Sequence, residues 1–217
     1  EFGADGLHPG DVLCTNNPWQ GTGHLNDCSI VRPIFRDGVL VAFAATASHM
    51  PDIGGRIRSV EAREVFEEGF HIPLMKIFNA GEADRTFFRL LRTQVRTPDQ
   101  TEGDIHAQIT ANHLIEARLL AMLAEYGLAD LTALSEELNG RTEAAMRAAI
   151  AEVPDGRYRY AMRTDGLSAE APFDFALELT IDGDGARFDF AGTSPAQARS
   201  INCPFCYTYA MSAYALK

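Results

Sequence analysis

The stretch that decides the fold is GTGHLNDCSIVRPIFRDGVLVAFAATASHMPDIGG, residues 21–55. Its two β-rich runs, CSIVRPIF and VLVAFAATAS, are joined by Arg36-Asp37-Gly38, a pattern that predicts an antiparallel β-hairpin. In such a hairpin, the start of the first strand lies beside the end of the second. An H-x-x-D group stands at each of these ends, at His24/Asp27 and at His49/Asp52, so we expect the two groups to meet in space.

The residue types in these groups favour a particular kind of metal ion. Imidazole together with carboxylate suits Mn²⁺, Zn²⁺ or Fe²⁺, whereas Ca²⁺ prefers oxygen ligands alone. A single H-x-x-D is a weak motif, because an exposed or helix-capping His/Asp pair has the same spacing. Two copies that flank one hairpin strengthen the metal hypothesis, but spacing alone leaves both interpretations open.

Composition narrows the class of protein. The chain has 217 residues, 46% of them hydrophobic, and its 19 basic and 30 acidic residues give a net charge of −11. This balance argues against nucleic acid and against an anionic membrane surface as partners. The longest apolar run, residues 39–47, is too short to cross a bilayer, and no secretion signal opens the chain, so the cytoplasm is the simplest compartment.

The remaining pattern predicts an α+β fold, with β-hairpin and mixed-sheet segments flanking a central pair of long helices. Helical runs follow residue 82 and residue 103, the second with Gly127 as its C-cap, and a third helix has a possible break at Asn139-Gly140. We expect three segments, all parts of one larger catalytic subunit. They are a β-rich metal-site segment with its following helix (1–100), a helical segment (101–153) and a β-rich segment that runs into a truncated helix (154–217).

Five ordered motifs carry a resemblance to a known family. They are GDVLCTNNPWQGTGHLNDCSIVRPIF, GVLVAFAATASHMPDIGG, EGFHIP, GDIHAQITAN and DFAGTSPAQARSIN. In this order they resemble the hydantoinase B family. That family includes the B subunits of ATP-dependent hydantoinases, the corresponding part of 5-oxoprolinase, and related subunits of acetone and acetophenone carboxylases.

The resemblance implies roles for individual residues. It places a divalent metal, Mn or Zn, on His24, Asp27 and His49, with a further carboxylate expected from an upstream segment. Asp52 is the candidate catalytic-site carboxylate that orients an imidazole. Its alternative role is to cap the Gly54-Gly55 turn.

A polar stripe on the long helix supplies the candidate substrate contacts. Asp104, Gln108 and Asn112 are spaced four residues apart, so they share one side of the helix. Such a stripe either lines a substrate cavity or faces water, and the resemblance favours substrate binding by Gln108 and Asn112.

The implied activity depends on a partner. The sequence contains no G-x-x-x-x-G-K-[ST] phosphate-binding loop. The resemblance implies a hetero-oligomer with a hydantoinase A-type ATPase subunit, which binds ATP and phosphorylates a cyclic amide: a hydantoin, N-methylhydantoin, 5-oxoproline or a lactam. Water would then open the ring at the divalent metal in this chain. The alternatives are an ATP-dependent ketone carboxylase, a non-catalytic scaffold subunit, and a metal-dependent hydrolase that acts alone.

Overall fold

A five-stranded antiparallel sheet contains the predicted hairpin. The structure, a computed structural model, describes residues 2–56, 59–166 and 172–217. The strands of this sheet lie in the order β3-β2-β1-β4-β5. In chain order they are β1 (Val12–Thr15), β2 (Asp27–Arg36), β3 (Val39–His49), β4 (Met75–Asn79) and β5 (Glu82–Ala83).

The turn between β2 and β3 fixes the hairpin register. Asp37 and Gly38 both have positive φ, 51° and 81°. Positive φ at both central residues is the geometry of the type I′ turn, whose twist matches that of the flanking strands. β2 and β3 are consequently paired along their whole length, from Arg36 opposite Val39 to Asp27 opposite His49.

Three helices accompany this sheet: α1 (Val65–Glu68), α2 (Arg85–Gln94) and α3 (Pro98–Glu125). Asp84 caps α2 by accepting hydrogen bonds from two backbone N–H groups of its first turn. α3 begins at Pro98, earlier than predicted, because proline at the first helical position loses no helical hydrogen bond. Gly127, at φ 64°, ends α3 as predicted, and Leu128 N donates to Leu123 O at 2.9 Å.

One side of α3 packs on the hairpin. Ile105 and Ile109 share a buried core cluster with Cys28 and Ile30 of β2. Further along, Arg32 Nε pairs with Glu116 Oε2 at 2.6 Å. Since side chains alternate between the two faces of a strand, α3 covers the face of β2 from which the even-numbered residues 28, 30 and 32 project.

A second unit contains α4 (Thr132–Ala151) and a three-stranded antiparallel sheet in the order β6-β7-β8. Its strands are β6 (Gly156–Thr164), β7 (Phe173–Asp182) and β8 (Gly185–Asp189). The predicted break at Asn139-Gly140 is wrong, because α4 is continuous there. Ion pairs four residues apart, Glu137 with Arg141 and Glu143 with Arg147, support the helix around the weak glycine.

The two units are divided differently from the predicted segments. Unit 1 comprises the chain up to Leu131 together with Ala198–Met211, and unit 2 comprises Thr132–Gln197 and Ser212–Lys217. α3 therefore belongs with the hairpin sheet, while α4 belongs with β6–β8. The last helix, α5, spans Phe205–Leu216. The α+β class is confirmed, and all strand pairs in the described part of the chain are antiparallel.

Bilayer crossing needs a long and uniformly apolar helix. None of the helices in the described ranges meets both conditions.

Candidate metal centre

Asp27 and His49 face each other across the open end of the hairpin. They are Cα partners in the β2–β3 ladder, and His49 Nδ1 lies 2.9 Å from Asp27 Oδ1. The hairpin therefore brings together residues 22 positions apart, as the sequence predicted. Because they are paired opposite each other, both side chains project from the same face of the sheet.

His24 completes a cluster of three. Its Nε2 lies 2.8 Å from the same oxygen, Asp27 Oδ1. A tight turn positions it, in which Asp27 N donates to His24 O at 3.3 Å. The rings of His24 and His49 are 5.1 Å apart, and one donor atom from each of the three residues lies within 4.8 Å of the others.

Asn16 holds the loop that carries His24. Its side chain is buried, and its Nδ2 donates to Leu25 O at 2.8 Å and to Phe70 O at 2.9 Å. Its Oδ1 accepts a hydrogen bond from Ile72 N at 2.6 Å. This residue was missed by the sequence analysis, since nothing in the local spacing reveals partners more than 50 residues away.

The cluster is accessible, and its carboxylate is ionised. The side chains of His24 and His49 are 44% and 38% exposed, and that of Asp27 is 22% exposed. Partial burial tends to raise the pKa of Asp27, but interactions with the Thr22 hydroxyl, His49 and His24 outweigh burial and lower this pKa. A metal ligand of this type must be deprotonated, and Asp27 meets this requirement at neutral pH.

The donor set and its spacing fit a divalent metal. Two ligand atoms about 2.1 Å from one ion are about 3.4 Å apart at the tetrahedral angle of Zn²⁺. At the 90° angle of an octahedral ion such as Mn²⁺ they are separated by about 3.0 Å. The two distances from Asp27 Oδ1 to imidazole nitrogens, 2.8 Å and 2.9 Å, are close to that separation. Two imidazoles and one carboxylate suit Mn²⁺ or Zn²⁺ and leave coordination positions open.

Asp52 lies outside this cluster and is occupied by other contacts. It is 2% exposed. Its Oδ1 accepts hydrogen bonds from Gly54 N and from the Arg96 guanidinium, both at 2.9 Å, and its Oδ2 accepts one from Arg96 N. These contacts are those of the alternative role, a cap on the turn after His49. The second H-x-x-D group therefore contributes its histidine to the cluster, while its aspartate holds the backbone.

Gln108 and Asn112 lie on the other side of the hairpin from the cluster. Both are buried, and Asn112 Nδ2 donates to Ile30 O at 3.0 Å. α3 covers the face of β2 that carries residues 28, 30 and 32, whereas Asp27 projects from the opposite face. Gln108 and Asn112 are thus buried on the side of α3 that packs on the hairpin and are not brought together with the three cluster residues, whereas Asp104 is exposed.

Gly23, next to His24, has no room for a side chain. Its φ is 105°, and a Cβ atom there would lie 3.0 Å from Tyr207 Cβ and 3.3 Å from the ring. We expect Gly23→Ala to lower the free energy of unfolding by about 1–3 kcal/mol and to weaken metal binding, because it displaces the adjacent His24.

Chemical denaturation and metal titration of the full-length protein measure both effects of Gly23→Ala. The control is Gly103→Ala, since a Cβ atom at this helical glycine meets nothing within 4 Å. That variant should be neutral or slightly stabilising. If the two variants had the same free energy of unfolding and the same metal affinity, the proposed strain in Gly23→Ala would be wrong.

An antiparallel hairpin that presents two histidines and one aspartate at its open end defines the class: an α+β protein with a candidate divalent-metal centre. The sequence profile described as hydantoinase B/oxoprolinase matches residues 1–217, and the chain belongs to this family. The resemblance found in the five motifs is thereby confirmed.

Individual relatives agree with the family. A Pseudomonas sp. (strain NS671) protein, provisionally named as the B-type subunit of a D-/L-hydantoinase, is 32% identical over 97% of this chain. The crystal structure of an ATP-dependent caprolactamase from Pseudomonas jessenii is 28% identical, matches with a TM-score of 0.90 and covers 98% of this chain. A nucleotide-free acetone carboxylase structure matches with a TM-score of 0.82 at 22% identity over 98% of the chain, a likeness of fold.

The matched region is only part of these relatives. The chain spans 37% of the hydantoinase relative, 37% of the caprolactamase chain and 31% of the acetone carboxylase chain.

Proposed function

We propose that this chain is the metal-binding part of a hydantoinase B-type component of an ATP-dependent enzyme that opens a cyclic amide. The observation that carries the proposal is the cluster of His24, Asp27 and His49. Family membership and the similarity to an ATP-dependent caprolactamase support the substrate class. The candidate substrates are hydantoins, N-methylhydantoin, 5-oxoproline and lactams.

The charge of the cluster suits this chemistry. Neutral His24 and His49 contribute no charge and ionised Asp27 contributes −1, so a site loaded with Mn²⁺ or Zn²⁺ keeps a net +1 that favours an anionic group. A divalent ion at such a site lowers the pKa of bound water and polarises a substrate oxygen. The chain itself positions the three donors and leaves them open to a substrate.

We propose that another subunit carries out the ATP-dependent step. Amide resonance makes a ring amide a poor electrophile, and phosphorylation of its oxygen would make the carbon easier to attack. This sequence has no phosphate-binding loop of the G-x-x-x-x-G-K-[ST] type. The proposed assembly is a hetero-oligomer with a hydantoinase A-type ATPase subunit, as the family resemblance implies. The hydantoinase relative is itself named as one subunit of its enzyme, which supports this arrangement.

Turnover by the complete complex tests the proposal. We expect ATP-dependent ring opening of hydantoin, 5-oxoproline or caprolactam by the full-length protein with its ATPase partner. His24→Ala should reduce the rate by at least about 100-fold, since it removes a direct metal ligand. The matched control is His113→Ala, whose side chain is 54% exposed on α3 and lies outside the cluster.

The same assay separates the alternatives. Turnover that needs bicarbonate and a ketone would identify a carboxylase. Full activity of the His24→Ala complex would support a non-catalytic scaffold. Ring opening without ATP would support a hydrolase that acts alone.

A further inference from the structure

A cleft of about 470 Å³ lies in unit 1, outside the three-residue cluster. It is lined by Arg56, Glu61, Arg63, Glu67 and Arg199. Its volume is within the range of small-molecule sites. We propose that this arginine cleft binds a small molecule through an oxyanion group, a carboxylate or a phosphate.

The charge of the cleft favours an anion. Among the described residues, three guanidinium groups and two carboxylates line the cleft with a net charge of +1, in a protein whose overall charge is −11. Glu67 Oε2 already pairs with Arg56 Nε at 3.1 Å. Arg63 has no ion pair with any other residue in the described ranges. Guanidinium is planar and presents paired N–H donors, which match the two oxygens of a carboxylate or phosphate.

One wall of the cleft is formed by the backbone at Gly55-Arg56 and at Glu67-Glu68, and contacts within the protein hold it in place before any ligand binds. Arg56 N donates to Glu67 O at 2.9 Å, and the preceding Gly55 is so close to Glu68 that a Cβ atom would lie 2.5 Å from its carbonyl carbon. Arg96 donates to Gly55 O at 2.7 Å. A preorganised wall binds a ligand with less loss of conformational entropy.

Arg199 is the lining residue that comes from the later part of the chain, and its neighbour contacts the segment around Glu67. The neighbouring Ser200 Oγ donates to Glu68 Oε1 at 2.8 Å. Two stretches that are far apart in sequence therefore converge at this cleft through a direct side-chain contact. The wall also continues the backbone that leaves His49 and passes Asp52, which places the cleft in the segment that follows a candidate metal ligand.

Calorimetric titration of the full-length protein at constant ionic strength tests the proposal, with inorganic phosphate and succinate as separate probes. We expect saturable binding of at least one probe with a Kd of roughly 1 mM or lower. Arg63→Gln and Arg199→Gln should each weaken it by about tenfold, since each removes a charge-assisted contact. The exposed Arg89→Gln on α2 is the control and should bind as the wild type does.

Glu67→Gln provides a gain of affinity that misfolding cannot imitate. Its carboxylate competes with the ligand for Arg56, so its neutralisation should tighten oxyanion binding by about threefold or more. Phosphate as the tighter probe would indicate a phosphorylated ligand, and succinate would indicate a carboxylate ligand.

The proposal would be overturned by no saturable binding of either probe, by unchanged affinity in both arginine variants, or by an equal loss in Arg89→Gln. Binding that is lost in His24→Ala but kept in Arg63→Gln would place the anion at the metal instead, and would also overturn it. If the protein bound no metal at His24, Asp27 and His49, anion binding to the arginine cleft would still be expected. The proposed function and the anion site can therefore be refuted independently.

Discussion

Asp27→Asn is expected to lower the affinity of the full-length protein for Mn²⁺ or Zn²⁺ by roughly 100-fold or more. Asp27 Oδ1 is the atom that both imidazoles approach, at 2.8 Å and 2.9 Å. An amide at this position keeps the size of the side chain but removes the negative charge. Without that charge, the two neutral histidines are a much weaker site for a divalent cation.

The control for Asp27→Asn is Asp37→Asn at the other end of the same hairpin. The Asp37 side chain is 95% exposed, and asparagine tolerates its positive φ of 51°. Elemental analysis and competition with a chelator measure the metal bound by wild type and both variants. Stoichiometric, equally tight metal in Asp27→Asn would exclude Asp27 as a ligand, and metal loss in both variants would indicate damage to the hairpin.

The hairpin could be predicted from sequence because it depends on local rules. Asp37-Gly38 selects a two-residue turn, and that turn sets the register that pairs Asp27 with His49. His24 lies outside this register, in the loop three residues before Asp27, where a turn closed by Asp27 N and His24 O positions it. Local turn chemistry is therefore sufficient to pair Asp27 with His49, whereas the family resemblance was needed to single out these residues and His24 as a ligand set, and Asn16 holds the loop of His24 through long-range contacts.

The two H-x-x-D groups show where spacing stops being informative. Asp27 begins strand β2, so its side chain is directed by the pleat toward His49. Asp52 follows the end of β3, where the backbone turns and Arg96, 44 residues away, provides its partner. Identical spacing thus places one aspartate in the cluster and the other against the backbone and Arg96, and only the tertiary fold distinguishes them.

The polar residues of α3 show a related limit of sequence patterns, and substrate binding by Gln108 and Asn112 stays a prediction. Periodicity places Gln108 and Asn112 on one side of the helix but does not identify what that side faces. In the structure this side packs on the hairpin, and Asn112 donates to the backbone of Ile30. Buried polar groups that bond to a neighbouring backbone have the same sequence pattern as groups that line a cavity.

Asp52→Ala is expected to lower the free energy of unfolding by about 2–4 kcal/mol, because it leaves buried N–H donors without an acceptor. Asp52 is 2% exposed and accepts hydrogen bonds from Gly54 and from the backbone and side chain of Arg96. The control is Asp99→Ala, since Asp99 also pairs with an arginine, Arg92 at 2.7 Å, but is 88% exposed. Loss of that surface pair should cost less than about 1 kcal/mol.

The pH dependence identifies the carboxylate as the source of the Asp52 effect. Burial tends to raise the pKa of Asp52, but hydrogen bonds from the backbone N–H groups of Arg96 and Gly54 and from the Arg96 side chain outweigh it and lower this pKa below its ordinary value of 3.8. Because the folded-state pKa of Asp52 is below its unfolded-state pKa, the ionised carboxylate stabilises the folded protein fully at pH values above the unfolded-state pKa. This contribution is lost as the pH falls through the folded-state pKa. The stability difference between wild type and Asp52→Ala, from urea unfolding at a series of pH values, should therefore shrink in acid. A variant of normal stability that binds metal but has lost turnover would show instead that Asp52 acts in the reaction itself.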